Sequence, residues 1–389
     1  MKLKNFLLLA NLFVINFLFA QTSVSDTIIT GGVARAYRLY IPAIYNPANP
    51  VPLVFNLHGY GSNNTQQELY GDFRPVADTA NFIIALPQGL NIGGGAGWNN
   101  FGSVASANAD LNFIADLIDT LSQQYNINLN KVYSTGMSNG GFMSYDIACF
   151  MSDRFAAIAS VTGSMIPSHK NACNPQHPMP VMEIHGTTDP VVSYTGSGGS
   201  LTSTHIDSLV KFFVNFNNCN NAPSFAALPD INTADNCTAE HYLYSGGLAG
   251  SSVELYKIIN GGHSWPGAVY PTTSGNTNED FNASVEIWRF FSQYNLDDLT
   301  VGIKNKLTEN EFSIYPNPSN GFLTLEFKNY DNAFIEIFNS TGEKALEQKI
   351  STVFTAINMK KYSGGIYFYL VRNKSGIIKS GKVIMVENL

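Results

Sequence analysis

The sequence predicts an α/β fold, a mostly parallel sheet flanked by helices, followed by a small all-β sandwich. From about Thr27 to Tyr294, short β-rich runs alternate with helical patterns. Several of those runs are continuously apolar, as strands covered on both faces require. From residue 312 onward the pattern changes to short runs in which apolar and polar residues alternate, separated by Gly, Asn and Ser turns. Charge changes over the same boundary: residues 312–389 carry 9 Lys+Arg against 6 Asp+Glu, which leaves 13 against 23 for residues 1–311.

The elements follow in chain order. Residues 1–20 have a short basic start at Lys2 and Lys4 and an apolar run from Phe6 to Phe19, broken by Asn11 and Asn16. Such a segment is too short and interrupted to prefer spanning a bilayer, and it reads as a secretory signal cleaved after Ala20. Strands are expected at Tyr37 to Ile41, Leu53 to Leu57, Phe82 to Leu86, Val132 to Thr135, Ala157 to Val161, Val181 to Ile184 and Val253 to Ile258. Leu111, Ile114, Leu117, Ile118 and Leu121 recur at helical spacing within Asp110 to Tyr125 and give one apolar stripe to lay on the sheet. Ser208 to Phe216 and Asn282 to Tyr294 are two further helices, each starting near a polar residue able to cap it. The first domain is therefore placed at 21–297, a polar linker at 298–311, and a β-sandwich at 312–389. Its strands include Leu323 to Phe327, Phe334 to Phe338 and Gly365 to Leu370.

Composition excludes some functions. Only 13% of residues are charged and the net charge is -7, so no basic field exists to hold nucleic acid. No later stretch is apolar for long enough to give the mature protein a stable membrane span. The four cysteines, Cys149, Cys173, Cys219 and Cys237, lack a C-x-x-C pair, which argues against zinc and for two disulfides. Pairing of sequence neighbours, 149 with 173 and 219 with 237, is expected.

The chemistry centres on Gly136-Met137-Ser138-Asn139-Gly140-Gly141, directly after the strand ending at Thr135 and before a helical stretch through Phe150. A sequence with 33 glycines can produce a glycine-serine turn by chance, but the strand, turn and helix together read as a nucleophile elbow. There the strand turns sharply into a helix, and small neighbours are needed to avoid clashes. An oxyanion hole is expected from the backbone N–H of Asn139 and that of Tyr60, the latter in Leu57-His58-Gly59-Tyr60-Gly61-Ser62 right after a buried strand. His58 is read as structural. The general base is His263, in Asn260-Gly-Gly-His-Ser-Trp-Pro-Gly267 just after a strand, whereas His205 and His241 lack such a setting. Asp189, in His185-Gly-Thr-Thr-Asp-Pro190, is the orienting acid. Asp207 and Asp153 compete for that role but stand at or near helix starts, where Asp more often caps. The order Ser138, Asp189, His263 agrees with the α/β-hydrolase layout.

Over roughly residues 27–294 the chain resembles the polyhydroxybutyrate depolymerase and feruloyl esterase group of secreted α/β-hydrolases, related to carbohydrate esterases. The resemblance is carried by Leu57-His-Gly-Tyr-Gly-Ser62, by Gly136-Met-Ser-Asn-Gly-Gly141 with Asp153-Arg-Phe-Ala-Ala157, by Ile184-His-Gly-Thr-Thr-Asp-Pro190 and by Gly261-Gly-His-Ser-Trp-Pro-Gly267. It implies that Trp265 lines the substrate cleft, with core packing as the other reading, and that Trp98 lies near the acyl group. The tail is similar to type IX secretion sorting domains of Bacteroidetes through Tyr315-Pro-Asn-Pro-Ser-Asn-Gly321, Phe338-Asn-Ser-Thr-Gly-Glu343 and Ser363-Gly-Gly-Ile-Tyr367. A carbohydrate-binding module is the competing reading, and it would need Tyr367 and Tyr369 exposed on one strand face.

These observations lead to the expectation of a serine carboxylic-ester hydrolase that needs no metal or organic cofactor. Its partners would be an ester substrate, possibly polymeric, and the type IX secretion machinery. The protein would pass through the periplasm and end extracellular or at the cell surface. Polyester, feruloylated or acetylated polysaccharide and small acyl esters all suit the same triad. A peptidase of this fold and an inactive surface-binding homologue are the alternatives, distinguished by peptide assays and by loss of a triad residue.

Overall fold

A computed structural model describes residues 22–197, 202–271, 274–300, 312–327, 333–373 and 376–386. The expected signal segment, 1–20, lies outside the described residues. The chain divides into two compact units after Leu299, and each is described by itself.

In the first unit the strands are β1 (Thr22–Thr30), β2 (Val33–Ile41), β3 (Val51–Leu57), β4 (Ile83–Pro87), β5 (Leu90–Ile92), β6 (Gly95–Gly97), β7 (Ile127–Met137), β8 (Ala157–Val161), β9 (Val181–Gly186), β10 (Ser224–Ala227), β11 (Thr238–Tyr244) and β12 (Val253–Ile259). The helices are α1 (Asn64–Tyr70), α2 (Arg74–Ala80), α3 (Asn108–Gln124), α4 (Asn139–Phe150), α5 (Pro167–Ala172), α6 (Ile206–Phe216), α7 (Ala283–Phe291) and α8 (Leu296–Leu299). One 10-stranded sheet runs in the order β1-β2-β4-β3-β7-β8-β9-β12-β11-β10. Its centre, from β4 to β12, is parallel, and antiparallel pairs close both edges. Every strand expected from the sequence is present. The outer strands β1, β10 and β11 were not expected, because strands largely or partly open to water carry no continuous apolar run.

Strand periodicity divides the interior into two cores. Leu53, Phe55 and Leu57 of β3 face one, with α3, α4 and α6 packed on it. Val54 of β3 faces the other, which α7 covers with Ile287, Phe290 and Phe291. On α3, Leu111, Ile114, Leu117, Ile118 and Leu121 are all buried, as their spacing predicts, and each such side chain contributes about 1.5–3 kcal/mol by leaving water. Leu296 and Leu299 of α8 are buried in the second core, so ordered chain of this unit continues past the boundary expected at residue 297. Residues 301–311 of the expected linker lie outside the described residues.

This two-sided packing corrects one cysteine pair. Cys149 and Cys173 are bonded, joining the end of α4 to the end of α5. Cys219 and Cys237 are free and buried, because Cys219 belongs to the core on one face of the sheet and Cys237 to the core on the other.

In the second unit, β13 (Phe312–Tyr315), β14 (Phe322–Phe327) and β17 (Phe354–Asn358) form one sheet. A second sheet contains β15 (Phe334–Phe338), β16 (Lys344–Lys349), β18 (Gly365–Asn373) and β19 (Gly376–Met385). The core between them holds Leu325, Phe327, Ile335, Ile337, Ile357 and Val371. Tyr367 and Tyr369 also point inward and are buried, so they form no aromatic strip for a sugar.

Candidate active site

Ser138 stands between the last residue of β7 and the first of α4, at φ 54° and ψ −120°. A non-glycine residue held there is strained, and it persists only where its surroundings determine the conformation. They do so here through close packing. A Cβ on Gly140 would stand 2.1 Å from the Leu57 carbonyl oxygen, so only glycine lets α4 start this close to β3. The Ser138 N–H is fixed by the Val161 carbonyl of the neighbouring strand at 2.9 Å.

Asn139 opens α4, where a first-turn N–H has no acceptor within the helix. Its side chain is fully used: Oδ1 accepts the Trp98 N–H at 2.6 Å, and Nδ2 donates to the Trp98 carbonyl at 3.0 Å and to Asn100 Oδ1 at 2.7 Å. The loop with Tyr60 lies against the serine, since a Cβ on Gly59 would be 3.4 Å from Ser138 Cβ. His58 is neutral by geometry: Nδ1 donates to the Gly59 carbonyl at 2.8 Å and Nε2 accepts the Gly89 N–H at 2.9 Å. Burial lowers its pKa accordingly.

Gly93 and Gly94, both at positive φ, are the turn of the β5–β6 hairpin, and Gly95 begins β6 opposite Ile92. Paired glycines between two short runs are themselves a hairpin signal. The hairpin supports Tyr60, whose hydroxyl donates to the Gly93 carbonyl at 3.0 Å while Gly61 N–H donates to Ala96 at 2.8 Å.

Asp189 and His263 come from loops following β9 and β12, which are neighbours in the sheet. The loops are joined by Thr188, whose N–H and hydroxyl both reach the Gly261 carbonyl, at 3.0 and 2.9 Å. His263 Nδ1 donates to Asp189 Oδ2 at 2.7 Å. The other oxygen of Asp189 accepts the N–H groups of Val191 and Val192 at 2.8 and 2.9 Å, which fixes the carboxylate. The remaining candidates are occupied elsewhere. His205 caps α6, His241 pairs with Glu254 at 2.8 Å, Asp207 receives the Tyr194 hydroxyl, and Asp153 is exposed.

Two cavities meet at Ser138 and Tyr60. One, of about 380 Å³, is lined by His263, Leu69, Tyr70 and Tyr270. The other, of about 560 Å³, is lined by Asn139, Ile92, Phe101, Val191 and Val192. Neither is reached by the tryptophans assigned to substrate. Trp265 is 1% exposed and Trp98 0%. Trp265 lies in the core edge-on to Phe73 and donates to Ser284 Oγ at 3.2 Å. Trp98 donates its ring N–H to the His58 carbonyl at 2.9 Å. Both support the loops that border the cleft, and family resemblance alone had suggested that they contact substrate.

Residues 40–222 match the phospholipase/carboxylesterase family model, and residues 313–387 match the secretion system C-terminal sorting domain. The first unit is a carboxylic ester hydrolase with the α/β-hydrolase fold. The hydrolase is 26% identical over 266 residues to a putative esterase of Nocardia uniformis, covering 64% of this chain and 76% of that one. It is 27% identical to feruloyl esterase D of Neurospora crassa, over 68% and 83% of the two chains. With feruloyl esterase C of Emericella nidulans the identity is 31%, over 46% of this chain and 65% of that protein. An acetyl xylan esterase structure from Aspergillus awamori matches with a TM-score of 0.46 at 15% identity, over 62% of this chain and 94% of that one. The sorting domain marks the hydrolase for type IX secretion to the cell surface or the extracellular space. No helix among the described residues is long and apolar enough to cross a membrane.

Proposed function

We propose that Ser138, His263 and Asp189 form a catalytic triad, and that the backbone N–H groups of Tyr60 and Asn139 form the oxyanion hole. The observation that carries this reading is a strained serine sharing one cavity with a histidine whose Nδ1 is held by a buried carboxylate at 2.7 Å. Ser138 Oγ attacks the ester carbonyl while His263 Nε2 takes its proton and returns it to the leaving alcohol. Asp189 fixes the tautomer and stabilises the imidazolium. Water, activated by the same histidine, then releases the acid.

The protonating histidine also assigns the two cavities. The leaving alcohol must lie beside His263, hence in the cavity with Leu69 and Tyr270. The acyl group then enters the cavity walled by Ile92, Phe101, Val191 and Val192. A space of about 560 Å³ with apolar walls suits a bulky or aromatic acyl group and leaves an acetyl group largely unpacked. The substrate proposed is therefore an aromatic acyl ester of a polysaccharide, in keeping with the names of the feruloyl esterases it resembles. Acetylated polysaccharide and polyhydroxybutyrate-like polyester rank behind it. The route of export proposed is through the periplasm after removal of residues 1–20.

The test is hydrolysis by the full secreted protein of methyl ferulate, acetylated xylan, polyhydroxybutyrate and a p-nitrophenyl acyl series, beside Ser138→Ala. Cleavage of methyl ferulate above the acetyl esters, abolished in Ser138→Ala, is expected. Equal cleavage by the variant would overturn the triad, and a preference for acetyl esters would overturn the assignment of the cavities.

A further inference from the structure

Behind Asp189 lies a second buried histidine that the proposed mechanism does not use. Glu183 and His185 project from the same face of β9, and both side chains are wholly enclosed. His185 Nδ1 is 2.8 Å from Glu183 Oε1, and Nε2 is 2.8 Å from the Val192 carbonyl oxygen. Nε2 is also 3.5 Å from Asp189 Oδ2, the oxygen that receives His263. Tyr145 of α4 donates its hydroxyl to Glu183 Oε2 at 2.8 Å.

The hydrogen-bond inventory of this cluster is restrictive. A carbonyl only accepts, so Nε2 carries a hydrogen. Nδ1 and Glu183 then share one further proton across 2.8 Å. The pair is electrically neutral as a whole, which is how a carboxylate on a central strand escapes the cost of isolated burial. The location of its proton still matters, because the His185 end faces Asp189 and the Glu183 end points away. Burial works against charge on His185, but the hydrogen bond and charge of Glu183, together with Asp189, outweigh it and hold the imidazole pKa above its ordinary value.

The charged and titratable groups around His185 are few. Glu183 lies on its own strand and Tyr145 comes from α4. Asp189 and Tyr194 belong to the following loop, with the Tyr194 ring 5.8 Å away. His263 faces the same Asp189 oxygen. On β12, Lys257 is the register partner of His185, but its ammonium lies over the Tyr194 ring.

We propose that Glu183 and His185 are positioning residues which, acting through Asp189, set the pH at which His263 becomes a base. The inference rests on the triad reading. A cationic His185 draws on the carboxylate oxygen that would otherwise stabilise the His263 imidazolium, and so keeps His263 deprotonated to lower pH. Glu183→Gln lets His185 lose its charge while its Nε2–H still serves Val192. Asp189 then holds a protonated His263 more firmly.

The experiment is the pH dependence of kcat/KM for a soluble ester with the full-length wild type, Glu183→Gln and Tyr145→Phe, with Ser138→Ala as the blank and thermal unfolding recorded for each. The acid limb is expected to move up by about half to one pH unit in Glu183→Gln, because the roughly 3 units that a lone charge about 4 Å away would give at a dielectric of about 20 are largely offset by the opposite Glu183 charge lost with it. Tyr145→Phe, which removes one donor from Glu183, should move it the same way by less. Limbs that superimpose on wild type, even with a lowered melting temperature, would reduce the pair to packing and overturn the proposal. If Glu183→Gln does not fold, the near-isosteric Tyr145→Phe decides by the same criterion. Failure of the triad reading would be seen separately, as wild-type cleavage that Ser138→Ala does not remove, and the proposal would fall with it.

Discussion

The side-chain amide of Asn139 pairs with the main chain of Trp98 as a neighbouring strand would, accepting from its N–H at 2.6 Å and donating to its carbonyl at 3.0 Å. Trp98 in turn holds the His58 carbonyl at 2.9 Å. One residue thus ties together the two loops that carry the proposed oxyanion donors. Asn139→Ala leaves the Trp98 N–H and Asn100 Oδ1 without the partners they have here, at about 1–3 kcal/mol each, while the Trp98 carbonyl keeps the Asn100 N–H at 2.9 Å. The expected result is a lower melting temperature together with a kcat reduced by up to about 100-fold, the usual size of a lost oxyanion contact, because alanine keeps the donor N–H but loses the side chain that positions it. Thermal unfolding and p-nitrophenyl ester kinetics measure the two effects.

Asp189→Asn keeps the size of the side chain but cannot hold the same histidine tautomer. The loss expected is about 10³–10⁴-fold in kcat, as for removal of the equivalent charge in other serine triads. The variant's KM should stay near that of the wild type, which steady-state kinetics on one ester resolves.

The two cavities predict opposite selectivities. Phe101 lines only the proposed acyl side and Tyr270 only the alcohol side. Phe101→Ala should lower kcat/KM for an aromatic acyl ester about tenfold relative to an acetyl ester of the same alcohol. Tyr270→Ala should instead discriminate between alcohols when the acyl group is constant.

In the sorting domain, Glu336 receives Arg372 at 2.8 and 3.0 Å and Lys344 at 2.9 Å. The Arg372 hydrogen bond, then that of Lys344, holds its carboxyl down at about 2. A carboxyl depressed in the folded state stabilises that state above its unfolded pKa, and the contribution is lost as pH falls toward 2. Acid unfolding of this domain should therefore be flatter in Glu336→Gln, as followed by circular dichroism between pH 5 and pH 2. A wild-type slope in the variant would remove Glu336 from the account.

Thiol chemistry checks the cysteine assignment. Cys219 and Cys237 are free and buried, and burial raises the pKa of both thiols. The native protein should react slowly with a thiol reagent, and the unreduced denatured protein should titrate two thiols. None would mean that the second bridge forms after all.

The sequence alone determined which segments of this protein form its buried parallel strands. Continuous apolar runs marked the buried parallel strands, and Ser138, Asp189 and His263, the residues proposed for catalysis, were singled out because each follows within a few residues of such a run, where a sheet delivers its side chains to one edge. The alternation after residue 312 likewise marked the sandwich, because period-two patterning is a property of the local chain. Tertiary structure decided what no local pattern encodes. Trp265 and Trp98 read as substrate contacts, but the direction of a large ring is set by which surrounding element offers it a cavity, and here both turn into the interior. Cys219 and Cys237 are near in sequence yet sit on opposite faces of the sheet, since which face covers a residue depends on the path of the connecting hairpin. The proximity of Glu183, His185 and Asp189 is in part a strand periodicity, but their closure against Tyr145 and Val192 exists only once α4 and the following loop have packed.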